Sequence, residues 1–117
     1  MPTDVLPLLD QDLALCCAPF TGGVLSDSAA ERLAHLFKAL SDPSRVKLIS
    51  LIAASEDGEA CACDLTEPVG LSQPTVSHHM RILVDAGLVT REQRGKWAYY
   101  RLVKGALAAV AGTLAPV

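Results

Sequence analysis

A mainly helical domain with a small two-stranded hairpin is the fold that three stretches of this 117-residue chain predict. LFKALSDPSRVKLISLI reads as two amphipathic helices around a Ser-Asp-Pro break. LSQPTVSHHMRILVDAGLV follows a short helix and holds a capped helix with a polar outer face, and LVTREQRGKWAYYRLV reads as two strands around a glycine turn. Helix, short turn, capped helix and basic hairpin together make a winged helix-turn-helix.

Each element has its own local signals. Residues 1–25 space Leu6, Leu9 and Leu13 weakly as a helix and then break at APFTGG, so they read as a loosely attached arm. A winged domain is expected over residues 26–104. Ser26-Asp27-Ser28 can cap a first helix whose Leu33, Leu36, Phe37 and Leu40 recur at helical spacing. Asp42 then caps a second helix with Pro43 in its first turn, and Val46, Ile49, Ile52 and Ala53 are expected to point inward. A short helix should follow Cys63-Asp64 and stop near Pro68-Val69-Gly70. Ser72 caps the next helix, Pro74 lies in its first turn, Val76, Ile82 and Leu83 face inward, and Gly87 supplies the left-handed stop. The two strands join around Arg94-Gly95-Lys96. Residues 105–117 form a terminal helix with Leu107, Val110, Ala111 and Leu114 on one stripe; it lacks a polar face, so it is expected to pack against a second subunit.

Bulk composition narrows the function. Half of the residues are hydrophobic and a fifth are charged, as in a globular domain. The start, MPTDVLPLLDQD, is acidic and broken by prolines, unlike a signal peptide, and no apolar run approaches the ~20 residues of a membrane span. A cytoplasmic protein with reduced thiols is expected, so the four cysteines point to metal binding or reactivity rather than a disulfide scaffold. The net charge of −3 hides an asymmetry. Residues 1–71 carry four basic and eleven acidic side chains, whereas residues 72–104 carry six basic and two acidic ones. A basic segment on an acidic body can present a local positive face to phosphate.

The expected nucleic-acid contacts lie in that segment. The recognition helix would bring Gln73, Thr75, Ser77 and His78 to base edges and Arg81 to phosphate; Gln can pair bidentately with adenine, and hydroxyls with most bases. Arg91, Arg94 and Lys96 of the wing would grip the backbone. Ser72 is read as a cap rather than a base reader. His78 and His79 are adjacent and point in different directions, with His78 the expected DNA contact and the other a solvated or packing residue.

Taken together, LFKALSDPSRVKLISLI, CACDLTEPVGLSQPTVSHHMRILVDAGLV and RGKWAYYRLV resemble the ArsR/SmtB family of bacterial metal-sensing repressors. The resemblance covers roughly residues 33 to 103, and SQPTVSHHMRIL is its most specific part. It implies a winged-helix homodimer, joined through its first and last helices, that binds operator DNA without effector and releases it when a metal or metalloid binds. A two-fold dimer reads half-sites about one turn, ~34 Å, apart.

The close thiol pairs, Cys16-Cys17 and Cys61-Ala62-Cys63, are the expected metal ligands. Residues i and i+2 share a face in an extended segment but not in a helix. Cys61 and Cys63, just before the short helix, can therefore point the same way, or converge if its first turn distorts. Thiolates favour soft ions and release protons on binding. The resemblance implies that ACACDL is an inducer site for arsenic, antimony, cadmium or lead, completed by arm cysteines of the partner subunit. Three thiolates suit arsenic(III) or antimony(III); four suit tetrahedral cadmium or zinc. Zinc, nickel and cobalt sensors of that family often use His and carboxylates on the last helix, and Lys104 to Val117 contains none. His35 is expected at the surface or an interface rather than on a metal. No constitutive cofactor is implied. A thiol-redox repressor is the alternative sensing chemistry. The bland alternative takes Cys16-Cys17 as a disordered, reactive pair and Cys61-Ala62-Cys63 as a small buried strand. An enzyme is not expected, because no CxxC opens a helix and no nucleophile, base and orienting group are assembled.

Overall fold

The computed structural model describes residues 23–114 and shows a small helical domain with a three-stranded sheet. Its elements are α1 (Asp27–Leu40), α2 (Pro43–Ala54), β1 (Glu59–Cys61), α3 (Thr66–Val69), α4 (Gln73–Asp85), β2 (Val89–Arg94), β3 (Trp97–Leu102) and α5 (Lys104–Leu114). The arm residues 1–22, with Cys16 and Cys17, lie outside the described residues.

The caps form where the sequence places them. The Ser26 hydroxyl accepts the Ala29 N–H at 3.2 Å to open α1. Asp42 Oδ1 accepts the N–H groups of Ser44 at 2.8 Å and Arg45 at 3.3 Å, with Pro43 in the first turn of α2. Ser72 opens α4 by accepting the Thr75 N–H at 3.4 Å, and its hydroxyl also lies 2.9 Å from that of Thr75. Gly70 at φ 75° ends α3 and Gly87 at φ 83° follows α4, both in the left-handed region that glycine enters without strain.

The core lies where α1, α2 and α4 meet the sheet. Leu33, Leu36, Leu48, Ile52, Leu65, Val76, Met80, Leu83, Leu88 and Tyr100 are all buried there. The inward face of α2 differs from expectation: Leu48 and Ile52 are buried, Ile49 is partly so, and Val46 and Ala53 are exposed. The stripe of α5 also divides. Val110 is buried with Ala106 and Thr113 in the domain's own core, while Ala111 and Leu114 face outward.

The hairpin is antiparallel, Arg94 opposite Trp97, closed by the two-residue loop Gly95-Lys96. A third strand joins the expected hairpin, at the stretch that one alternative reads as a small buried strand. β1 pairs with the other edge of β3, Glu59 opposite Arg101 and Cys61 opposite Tyr99, giving the order β1-β3-β2. The segment ahead of α3 thus becomes part of the sheet that carries the wing.

Candidate nucleic-acid interface and thiol site

The polar face of α4 stands clear of the core. Gln73, Thr75, Ser77, His78 and Arg81 are all exposed, while Val76, Met80 and Leu83 alternate with them on the buried side. His79 turns inward instead. Its Nδ1 lies 3.1 Å from Nη1 of Arg45 on α2, and since guanidinium only donates, the imidazole nitrogen accepts. His78 is the solvent-facing member of the pair.

Between α4 and the hairpin runs a groove of about 530 Å³, whose walls include Gln73, Ser77 and Arg81 from the helix and Arg91, Gln93 and Lys96 from the wing. Alternation along β2 turns Arg91 and Gln93 to this side. Arg91 donates to Gln93 Oε1 at 2.7 Å, and Gln93 donates to the Gly95 carbonyl at 3.0 Å, which braces the loop. Lys96 sits 5.7 Å from the Trp97 ring, and Trp97 is 42% exposed at the same groove.

Arg94 has a different environment from Arg91 and Lys96. Its guanidinium reaches both carboxylate oxygens of Glu59, bonds Glu92 at 2.7 Å and stacks 4.4 Å over the Tyr99 ring. Arg101 approaches Glu59 at 3.5 Å. The hydrogen bond from Arg94 holds the Glu59 carboxyl below the usual carboxylate range; partial desolvation opposes this, and the charges of Arg94 and Arg101 add to it. The wing arginine expected to grip DNA is thus held by acids of its own domain.

The thiol segment crosses from strand to turn at Cys61. β1 ends there with Cys61 buried, and a single 3-10 turn over Ala62–Asp64 carries Cys63 to the surface. The turn brings the two Cα atoms to 5.2 Å and the two sulfurs into contact, in the arrangement of a disulfide. The Cys63 N–H donates to the Cys61 sulfur at 3.4 Å. The thiols therefore converge because the backbone turns, not because it stays extended. Asp64 joins them: its carboxylate and the two sulfurs all lie within 4.8 Å of one another. Two soft donors and one carboxylate in a single turn fit a thiophilic ion when the sulfurs are reduced. Sequence reasoning passed over Asp64, Glu59 and Trp97; only Asp64, directly after Cys63, had a local signal.

Residues 42–91 match the family model described as bacterial regulatory protein, arsR family. An HTH-type transcriptional regulator of Methanocaldococcus jannaschii is 40% identical over 73 residues, spanning 62% of this chain and 80% of that one. The chain belongs to the ArsR family. As an ArsR-family chain it is a transcriptional regulator and not an enzyme. It is also 47% identical, over 72 residues, to the arsenical resistance operon repressor of Staphylococcus xylosus, covering 62% of this chain and 66% of that repressor. The solution structure of a homodimeric winged helix-turn-helix DNA-binding domain from Mycobacterium bovis superposes with a TM-score of 0.63 at 25% identity, over 76% of this chain and 83% of that one. Among the described residues of this ArsR-family chain, no helix is long and apolar enough to cross a membrane.

Proposed function

We propose that this ArsR-family regulator is a cytoplasmic homodimeric repressor that binds operator DNA and releases it when arsenic(III) or antimony(III) binds its cysteine thiolates. The observation that carries this reading is the convergence of Cys61, Cys63 and Asp64 in the turn between β1 and α3, one short helix ahead of the recognition helix α4. The similarity to an arsenical resistance operon repressor supports the choice of ion. Cys61 and Cys63 supply two thiolates, and Cys16 or Cys17 of the arm, residues 1–25, supplies a third. If both arm thiols bind, the site takes cadmium, lead or zinc.

Gln73, Thr75, Ser77 and His78 read base edges, while Arg81, Arg91, Arg94 and Lys96 hold phosphates. Dimerisation runs through α1 and the outward face of α5, in the segment 105–117; the homodimeric state of the Mycobacterium bovis domain supports it. Release is a coupling between two sites. A coupling of about 1–3 kcal/mol per ion weakens DNA binding roughly 5- to 150-fold.

The test is operator-DNA anisotropy with reduced, metal-free protein, titrated with arsenite, cadmium and zinc in parallel. Near-stoichiometric release by arsenite is expected in the wild type. A Cys61→Ser/Cys63→Ser protein is expected to bind operator normally and keep it bound in arsenite; unchanged release from that variant would sink the proposal.

The 5.2 Å between the Cα atoms of Cys61 and Cys63, within the range that a disulfide spans, favours one second reading. Peroxide can take two electrons and two protons from the dithiol, giving the Cys61–Cys63 disulfide and two waters. Release of DNA by peroxide, reversed by a dithiol reductant and absent with anaerobic arsenite, would favour that reading over metalloid sensing.

A further inference from the structure

Glu59 and Cys61 sit at the two ends of β1 and, being two residues apart, on one face of the strand. The thiol and the carboxylate ride on the same three residues. Glu59 is the meeting point of Arg94 and Arg101, and Glu92 adds a second carboxylate to Arg94. Arg94 thereby differs from its neighbours on the wing: Arg91 bonds a neutral amide, and Lys96 lies over an indole.

A carboxylate pair and a phosphate make the same demand on guanidinium, two parallel N–H donors. Arg94 cannot meet both with one edge. Its side chain is 43% exposed and that of Glu59 18%, so the pair is at the surface, where solvent weakens an ion pair and a phosphate can displace it.

We propose that Glu59 is a positioning residue that competes with DNA phosphate for Arg94, so that β1 sets how many wing cations hold the duplex. The proposal rests on the reading that the wing touches DNA.

Salt dependence tests it, since a merely structural role for Glu59 would not alter the number of phosphate contacts. Full-length wild type, Glu59→Gln, Arg94→Gln and the double variant would be titrated by anisotropy onto operator and scrambled duplexes between 50 and 200 mM salt. Glu59→Gln is expected to bind more tightly at low salt with a slope steeper by about 0.9, equivalent to roughly a 3.5-fold larger loss of affinity across that range. With Arg94→Gln in place, most of this increment should disappear, leaving only what Arg101 contributes. An unchanged slope in Glu59→Gln would overturn the proposal, and so would the full increment persisting without Arg94, because it would then be a general charge effect. Both of those failures leave DNA binding intact. A wild-type protein that binds neither duplex would overturn the DNA reading and this proposal together.

Discussion

Arg45 links three helices through one side chain. Its Nε donates to the Ala39 carbonyl at 2.6 Å, a terminal acceptor of α1, and its Nη2 to the Lys38 carbonyl at 3.4 Å, which also accepts from Ser41. Its Nη1 reaches His79 on α4. Asp42 fixes the turn from which this arginine projects. Partial desolvation raises the Asp42 pKa, but the Arg45 and Ser44 N–H groups, with nearby His79 and Arg45, lower it by more, so the net shift is downward from 3.8. A carboxyl depressed on folding stabilises the native state above its unfolded pKa and loses that contribution as pH falls through the folded value. Wild type should therefore exceed Asp42→Asn in stability at pH 7, and the gap should close as pH drops below about 4, as urea titrations across pH would record. Thr75 shows a further constraint at this scale. Its hydroxyl lies 2.9 Å from that of Ser72, so the helix cap already engages a group expected to read a base.

Among the described α-helices, α3 is the shortest, with four residues closed by Gly70. It is held by Leu65, which is 1% exposed and sits between the thiol turn and the helix. Leu65→Ala should cost about 2–5 kcal/mol in denaturant unfolding, the range for a fully buried leucine, and a loss below 1 kcal/mol would mean that the segment repacks freely. The elements with local signals were legible in the sequence. Asp42-Pro43, Ser72 and Gly95 mark three boundaries through side-chain or backbone chemistry that acts within a few residues. β1 was legible only as one alternative for Cys-Ala-Cys, because Glu-Ala-Cys is too short to alternate and becomes a strand only by pairing with β3. The buried face of α2 was misassigned because Val46, Leu48, Ile49, Leu51 and Ile52 surround the helix and leave no clear stripe. α5 is apolar on all sides, so tertiary packing alone selects Ala106, Val110 and Thr113. At the site, the cysteine pair was visible from its spacing. The hold of Glu59 on Arg94 joins residues 35 apart in sequence and had no local mark.

For the molecule as a whole, charge and apolar surface are separated. The basic residues of the 72–104 segment include the wing and recognition-helix cations, while most acids lie before it. The outward side of α5 leaves Leu114 62% exposed, where a partner subunit is proposed to cover it. Leu114→Glu is expected to shift sedimentation velocity toward monomer at micromolar concentration and to weaken operator binding with it; an unchanged dimer would move the interface elsewhere. The sheet order has a consequence of another kind. β3 is paired on both sides, which leaves β2 as the long free edge of the sheet. Unpaired strand edges invite other chains to add on, and charged side chains discourage it. Thr90, Arg91, Glu92, Gln93 and Arg94 are all exposed along that edge, three of them charged. The wing residues proposed to hold phosphate thus also guard this edge against amyloid-like stacking.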